Sequence, residues 1–216
     1  GNPILWNIGT INPASSVTVT ITVNVPSGAS IGTIFNNSFD VTYTAGSNTF
    51  TSTSNSRSVT VTATYGVSIT PSVASSAKEP EDSIKYYFTL KNTGNKKDVL
   101  EMSYSSSKSM GWNFYKDVNN NGIYDAGDTQ LTNTNGYAGV DADSVQFSDS
   151  VHVIAIVITP SAATDLDNDV TTFTITSAGD NAKVQNSTAT TTFDVPVINV
   201  TKVVAPIGNQ PPGQTM

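Results

Sequence analysis

The chemistry in this chain is concentrated between residues 117 and 128, which read Asp117-Val-Asn119-Asn-Asn121-Gly122-Ile123-Tyr-Asp125-Ala-Gly127-Asp128. Calcium is a hard cation that collects six to eight oxygens. In a wrapped loop it takes them from the first, third, fifth, seventh, ninth and twelfth positions, with a glycine at the sixth to allow the sharp turn. Asp117, Asn119 and Asn121 supply the first three of these, Gly122 the turn, the carbonyl of Ile123 the next ligand, and Asp125 and Asp128 the last two. Aspartate at the twelfth position in place of glutamate shortens the reach and predicts a modest affinity. The bland alternative is a solvated Asn/Gly turn between strands. Five oxygen-bearing side chains in register with one glycine favour calcium.

Charge placement points the same way. Between Asp117 and Asn181 there are ten Asp and no Glu, Lys or Arg. Carboxylates crowded like this repel one another unless cations sit among them. Asp165, Asp167 and Asp169 form a second candidate metal site, or else a plain acidic loop. No catalytic constellation accompanies them, and the chain is expected not to be an enzyme. Its single histidine, His152, lies inside an apolar strand pattern, and no Gly-x-Ser-x-Gly turn, paired histidines or glycine-rich loop opening a helix is present. Trp6, Trp112, Tyr115, Tyr124 and Tyr137 could pave a sugar-binding platform, although core and loop packing is the simpler role.

The elements that must hold the loop are strands. Residues 17–25 alternate strictly, Val-Thr-Val-Thr-Ile-Thr-Val-Asn-Val, which predicts a half-buried antiparallel strand. The pattern repeats at residues 39–43 and 58–63, giving four or five strands before Tyr65. Further strands are expected at 67–71, 84–91, 99–104, 112–115, 152–158, 172–177 and 190–195, with a Ser/Ala-rich loop before residue 84. No apolar period of 3.6 residues persists for three turns, so helix should be near absent. The predicted class is all-β, as two immunoglobulin-like antiparallel sandwiches. The first spans 1–65 and is incomplete, the second spans 66–196 and carries the calcium loop, and 197–216 form a tail.

Composition narrows the partners. Of 216 residues 37% are hydrophobic and only 12% charged; Ser and Thr, about a quarter of the chain, supply the polarity, as is usual on extracellular β-proteins. A net charge of −7 argues against nucleic acid or anionic membrane as a partner. No run approaches the roughly 18 apolar residues of a membrane span. Without cysteine, stability must come from core, metal or assembly. The chain begins at Gly with no secretory signal, the expectation for a mature or trimmed product.

Taken together, residues 6–13 (Trp-Asn-Ile-Gly-Thr-Ile-Asn-Pro), the alternating strand that follows, and Gly32-Thr-Ile-Phe-Asn-Asn37 resemble the second half of immunoglobulin-like repeats found in tandem on bacterial and archaeal surface proteins. Residues 87–95 (Tyr-Phe-Thr-Leu-Lys-Asn-Thr-Gly-Asn) and Trp112-Asn-Phe-Tyr-Lys-Asp117 resemble a neighbouring repeat, and Val200-Thr-Lys-Val-Val204 the opening of another. The resemblance implies secretion and a structural or adhesive role.

Residues 197–204 read as a strand with no hairpin partner, while the first unit reads as a sandwich missing strands. The expectation is therefore head-to-tail assembly of identical subunits into an extracellular surface filament. Ile198, Val200, Val203 and Val204 would form a donor strand completing the first unit of the next copy. The alternatives are a calcium-stiffened stalk fragment of a cell-surface adhesin, completed by neighbouring repeats of the same chain, and a carbohydrate-binding module.

Overall fold

The computed structural model describes residues 4–202 apart from Ser27 and Ser72, together with Pro212 and Gly213. Val203 and Val204 of the expected donor strand lie outside the described residues. The chain divides into two compact units, Gly1–Thr62 and Ala63–Met216. No helix occurs among the described residues, and none is long and apolar enough to cross a membrane.

The described residues of the first unit form four strands: β1 (Ile34–Asn37), β2 (Asp40–Ala45), β3 (Asn48–Thr53) and β4 (Arg57–Thr60). They form two separate pairs, β1 with β4 and β2 with β3. The β2–β3 hairpin turns at Gly46, whose φ of 63° suits the left-handed position of a tight connection. Tyr43 and Phe50 face each other across it, their rings stacked 5.2 Å apart, yet both are exposed. Among the described residues of this unit only Val61 is buried.

The expected strand at residues 17–25 is not formed. Val17, Val19, Ile21, Val23 and Val25 are all exposed, and the segment enters no ladder. An alternating pattern specifies which face wants burial but does not provide the edge or the opposing sheet that would bury it. Residues 197–202 likewise lie outside any strand, with Ile198 and Val200 exposed.

The described residues of the second unit form ten strands: β5 (Val67–Thr70), β6 (Val73–Lys78), β7 (Ser83–Asn92), β8 (Asp98–Ser106), β9 (Asn113–Lys116), β10 (Thr129–Gln130), β11 (Val140–Val145), β12 (Ser150–Ile158), β13 (Asn168–Ser177) and β14 (Val184–Phe193). They build a sandwich of two five-stranded sheets, ordered β10-β9-β12-β7-β5 and β11-β8-β13-β14-β6. All pairings are antiparallel except β6 on β14. The Ser/Ala-rich segment expected as a loop is β6, an edge strand. Small residues suffice there because only one neighbour and one face need filling. Pro71, which lacks an N–H, ends β5 and lets the chain cross to the other sheet.

Alternation becomes burial in this unit. Ile84, Tyr86, Phe88 and Leu90 of β7 point inward, as do Val151, Val153, Ala155 and Val157 of β12, against Leu100, Met102, Phe173, Ile175 and Phe193 of the other sheet. Phe173 is the hub: its ring lies 4.9 Å from Phe88 and 5.0 Å, edge-on, from Trp112. Each large side chain buried in this way contributes roughly 1.5–3 kcal/mol.

Candidate metal centre

The loop 117–128 is the connection between β9 and β10, and the Thr129–Lys116 pairing closes it at its base. Asp117, the buried first residue, is anchored by its N–H to the His152 carbonyl on β12. Its two carboxylate oxygens accept from the N–H groups of Asn121 (3.2 Å) and Gly122 (2.9 Å). The side-chain oxygens of Asn119 and Asn121 accept from the N–H groups two residues ahead, at 3.1 and 2.7 Å. Gly122, at φ 69°, turns the chain through the left-handed region.

The far side of the loop folds back onto the near side. Asp125 Oδ2 accepts from the amides of both Asn119 (3.0 Å) and Asn121 (3.1 Å). Asp128 accepts from the N–H of Val118 at one oxygen and of Asp125 at the other. The side chains of Asp117, Asn119, Asn121, Asp125 and Asp128 are thus tied into one hydrogen-bonded loop, and the oxygens that accept a single bond retain a lone pair beyond it. The Ile123 side chain is exposed, and its N–H is the donor to Asn121. The Gly127 N–H, followed by the amides of Asn119 and Asn121, holds the Asp125 carboxyl below its ordinary range and keeps it anionic. An all-oxygen set of three carboxylates and two amides fits a hard cation such as calcium and does not suit a soft one.

Among the described residues, no three His, Cys, Asp or Glu side chains stand close enough together to ligate one metal ion. Ligation at this loop therefore depends on the amides as well as the carboxylates. The three acids of the second candidate have separate partners. Asp165 accepts from the Val195 N–H, and Asp167 pairs with Lys108 at 2.7 Å. Asp169 is fully buried and accepts from the hydroxyls of Ser106, Ser107 and Thr171 and from the Lys108 N–H. Thr171 in turn accepts from the Trp112 indole N–H at 3.0 Å. The three acids are claimed by different neighbours, so these carboxylates do structural work separately.

Burial alone would raise the Asp169 carboxyl; the hydroxyls of Ser106 and Thr171 and the Lys108 N–H outweigh it and hold the group below its ordinary range.

Trp112 is buried in the core, which removes it from any aromatic platform. Tyr115 packs on Tyr124 with centroids 4.8 Å apart. His152, half-buried on β12, shares a hydrogen bond between its Nδ1 and the Thr89 hydroxyl across the ladder. It lines a cavity of about 260 Å³ beside Asp117, Asn121 and Gly122.

Sequence reasoning passed over one further polar group. Glu101 on β8 is almost fully buried and stands directly opposite Asp141 on β11. Nothing local marks it, because a lone glutamate in a strand reads as surface.

No family model matches the chain, and neither does any curated protein. Among solved structures it is similar to PapD-like domain 7 of human CEP192, at 11% identity and a TM-score of 0.38, covering 61% of this chain and 87% of that one. It is also similar to a family 123 glycoside hydrolase from Clostridium perfringens, at 8% identity and 0.39, covering 62% of this chain and 28% of the hydrolase. A third is a chaperone–tip adhesin complex of CFA/I fimbriae, at 6% identity and 0.31, covering 58% and 56%. Likenesses this distant carry no argument about activity, substrate or partner. The protein is an all-β chain with an immunoglobulin-like sandwich.

Proposed function

We propose that the protein is a structural subunit of an extracellular filament or fibre, assembled head-to-tail by strand addition and stabilised by calcium at the loop 117–128. The observation that carries this reading is the state of the first unit. Its apolar side chains, among them Val19, Val23, Ile34, Phe39, Tyr43 and Phe50, are exposed. A segment of this length with one buried side chain among its described residues does not offset the roughly 1–2 kcal/mol of backbone entropy lost per ordered residue, so it needs surface from another molecule or another repeat. Segment 197–204 has the complementary character: Ile198 and Val200 present apolar side chains, and their backbone outside any ladder is free to join one. Lys202 interrupts the apolar row and belongs at the rim of such a joint. In the filament the added strand supplies main-chain hydrogen bonds and one row of apolar anchors. A head-to-tail contact of this kind propagates without closing unless its rotation makes a ring.

Calcium fits this role as a stiffener of the second unit. Asp117, Asn119, Asn121, Asp125, Asp128 and the Ile123 carbonyl would hold it, neutralising charge in a stretch that carries no basic residue. Electron microscopy of the purified chain with calcium, and with chelator, tests the reading. Filaments that disappear when residues 197–216 are deleted are the expected result. Filaments formed by the truncated chain overturn it. A chain that stays monomeric at high concentration with calcium moves the assignment to a calcium-stiffened stalk completed by neighbouring repeats.

A further inference from the structure

The buried acids of the second unit are Asp98, Glu101, Asp117 and Asp169, and the fold treats one of them differently. Both oxygens of Asp98 have donors, in the Gly179 N–H and the Ser177 hydroxyl. Both oxygens of Asp117 and both of Asp169 are also bonded. Glu101 accepts from the Asn135 amide at Oε1, and its buried Oε2 has no donor among the described residues but the facing Asp141, with which it can only share a proton. The other buried side-chain oxygen without a partner among the described residues is Asp141 Oδ1, and Asp141 is the residue directly opposite Glu101 in the β8–β11 ladder.

Two carboxylates placed face to face between strands repel each other. A buried charge costs several kcal/mol unless it is neutralised. Lysine does not serve here: the salt bridges among the described residues are Lys108–Asp167 and Lys116–Asp143. We propose that Glu101 and Asp141 form a second cation site, which binds one calcium ion between Glu101 Oε2 and Asp141 Oδ1.

The surroundings are built for a ligand of this kind. The segment between Leu131 and Val140 reaches the pair through Thr134 and Asn135. It is drawn down by Asn135 on Glu101 and by the Thr134 N–H and hydroxyl on Asp141 Oδ2. Gly139, at φ 124°, lies so close to β8 that a Cβ there would stand 2.7 Å from the Met102 carbonyl oxygen, so this approach admits only glycine. A bulge between Asp141 and Ser144 re-aims β11 at the same point. A groove of about 510 Å³ lined by Asp141, Thr134 and Asn135 opens on the Asp141 side of the pair. Burial pushes the Glu101 carboxyl up to about 7 against the pull of Asn135, and its hydrogen bond to and charge contact with Asp141 add to the rise. Calcium suits the site better than magnesium because it accepts irregular oxygen geometry, whereas magnesium demands a near-ideal octahedron.

The chain has three glutamates, Glu79, Glu81 and Glu101, so carboxyl-¹³C-glutamate labelling of the intact protein resolves the site by NMR. Adding CaCl₂ to the chelator-stripped chain should shift the Glu101 carboxyl resonance and abolish its titration near neutral pH. Asp128→Ala, which disables the loop 117–128, should leave the midpoint of that shift within about twofold. Glu101→Gln should remove one calcium per chain in a calorimetric titration. A Glu101 resonance that ignores calcium and keeps titrating near pH 7 overturns the proposal and assigns the pair a shared proton. A shift that vanishes in Asp128→Ala also overturns it, because the calcium effect would then belong to the loop. The wild-type spectrum decides even where Glu101→Gln fails to fold.

Discussion

The two units are written in the same strand grammar and reach opposite outcomes. In the second, the alternation of β7 places Ile84, Tyr86, Phe88 and Leu90 inside a closed sandwich. In the first, the equally regular alternation of residues 17–25 leaves every aliphatic side chain in solvent. The difference lies in the count of partners. Phe88 meets Phe173 from a second sheet, whereas Tyr43 and Phe50 meet only each other among aromatic rings. Hydrophobic pattern is a demand for burial, and a sheet must have both a ladder neighbour and a facing layer to meet it.

Core truncation should expose that asymmetry most strongly. Phe173→Ala, at the centre of the second unit, should lower its stability by about 3–5 kcal/mol. Phe50→Ala should change the monomer's denaturant midpoint very little, because an exposed ring has little burial to lose. Equal losses in the two variants would mean the first unit has a core after all, and the comparison would fail.

Next in size is Asp169→Asn. It removes the charge that organises Ser106, Ser107, Lys108, Thr171 and, through Thr171, Trp112. A loss of about 3 kcal/mol is expected in chemical denaturation, the scale of breaking a buried charged network. The pH dependence has a definite sign. The folded-state carboxyl lies below its ordinary value, so its contribution is present above the unfolded pKa of about 4 and is lost as pH falls through the folded one. Acid unfolding of the second unit should therefore set in below about pH 4 in wild type, and this part of the acid sensitivity should be missing from Asp169→Asn.

Calcium removal should cost less, about 2 kcal/mol at a millimolar extracellular concentration, and should fall on the second unit alone. Chelator should lower that unit's melting temperature, and Asp117→Asn or Asp128→Ala should remove the greater part of the difference. A melting temperature indifferent to chelator in wild type would return the loop to a solvated turn.

The smallest effect on the monomer should come from Ile21→Asp, within about 0.5 kcal/mol as for other surface changes. The same substitution should nonetheless suppress filaments, if the row it interrupts is what an added strand and its layer cover. A variant that assembles normally would show that residues 17–25 play no part in the joint.

Most strands of the second unit are legible one at a time. β7 and β12 follow from aliphatic and aromatic alternation, and the shape of the loop 117–128 follows from the order of Asp, Asn and Gly, because ligands and turn lie within a few residues of each other. β6 is hidden because Ala and Ser carry little strand signal at an edge, and the short β10 because its ladder depends on Lys116 and Tyr115, which lie on the far side of the loop. The acidic triplet Asp165, Asp167 and Asp169 reads as one site because spacing along a chain conceals direction. The fold sends Asp169 into the interior and leaves Asp167 to Lys108.

What the order of residues determined by itself was local: the class of fold, the faces that seek burial, and a loop whose oxygens are near neighbours in sequence. Tertiary structure alone decided which of those faces found cover, and it alone set Glu101 against Asp141 across a ladder. Burial and charge pairing are contacts between segments remote in the chain, so no window on the sequence contains both partners at once.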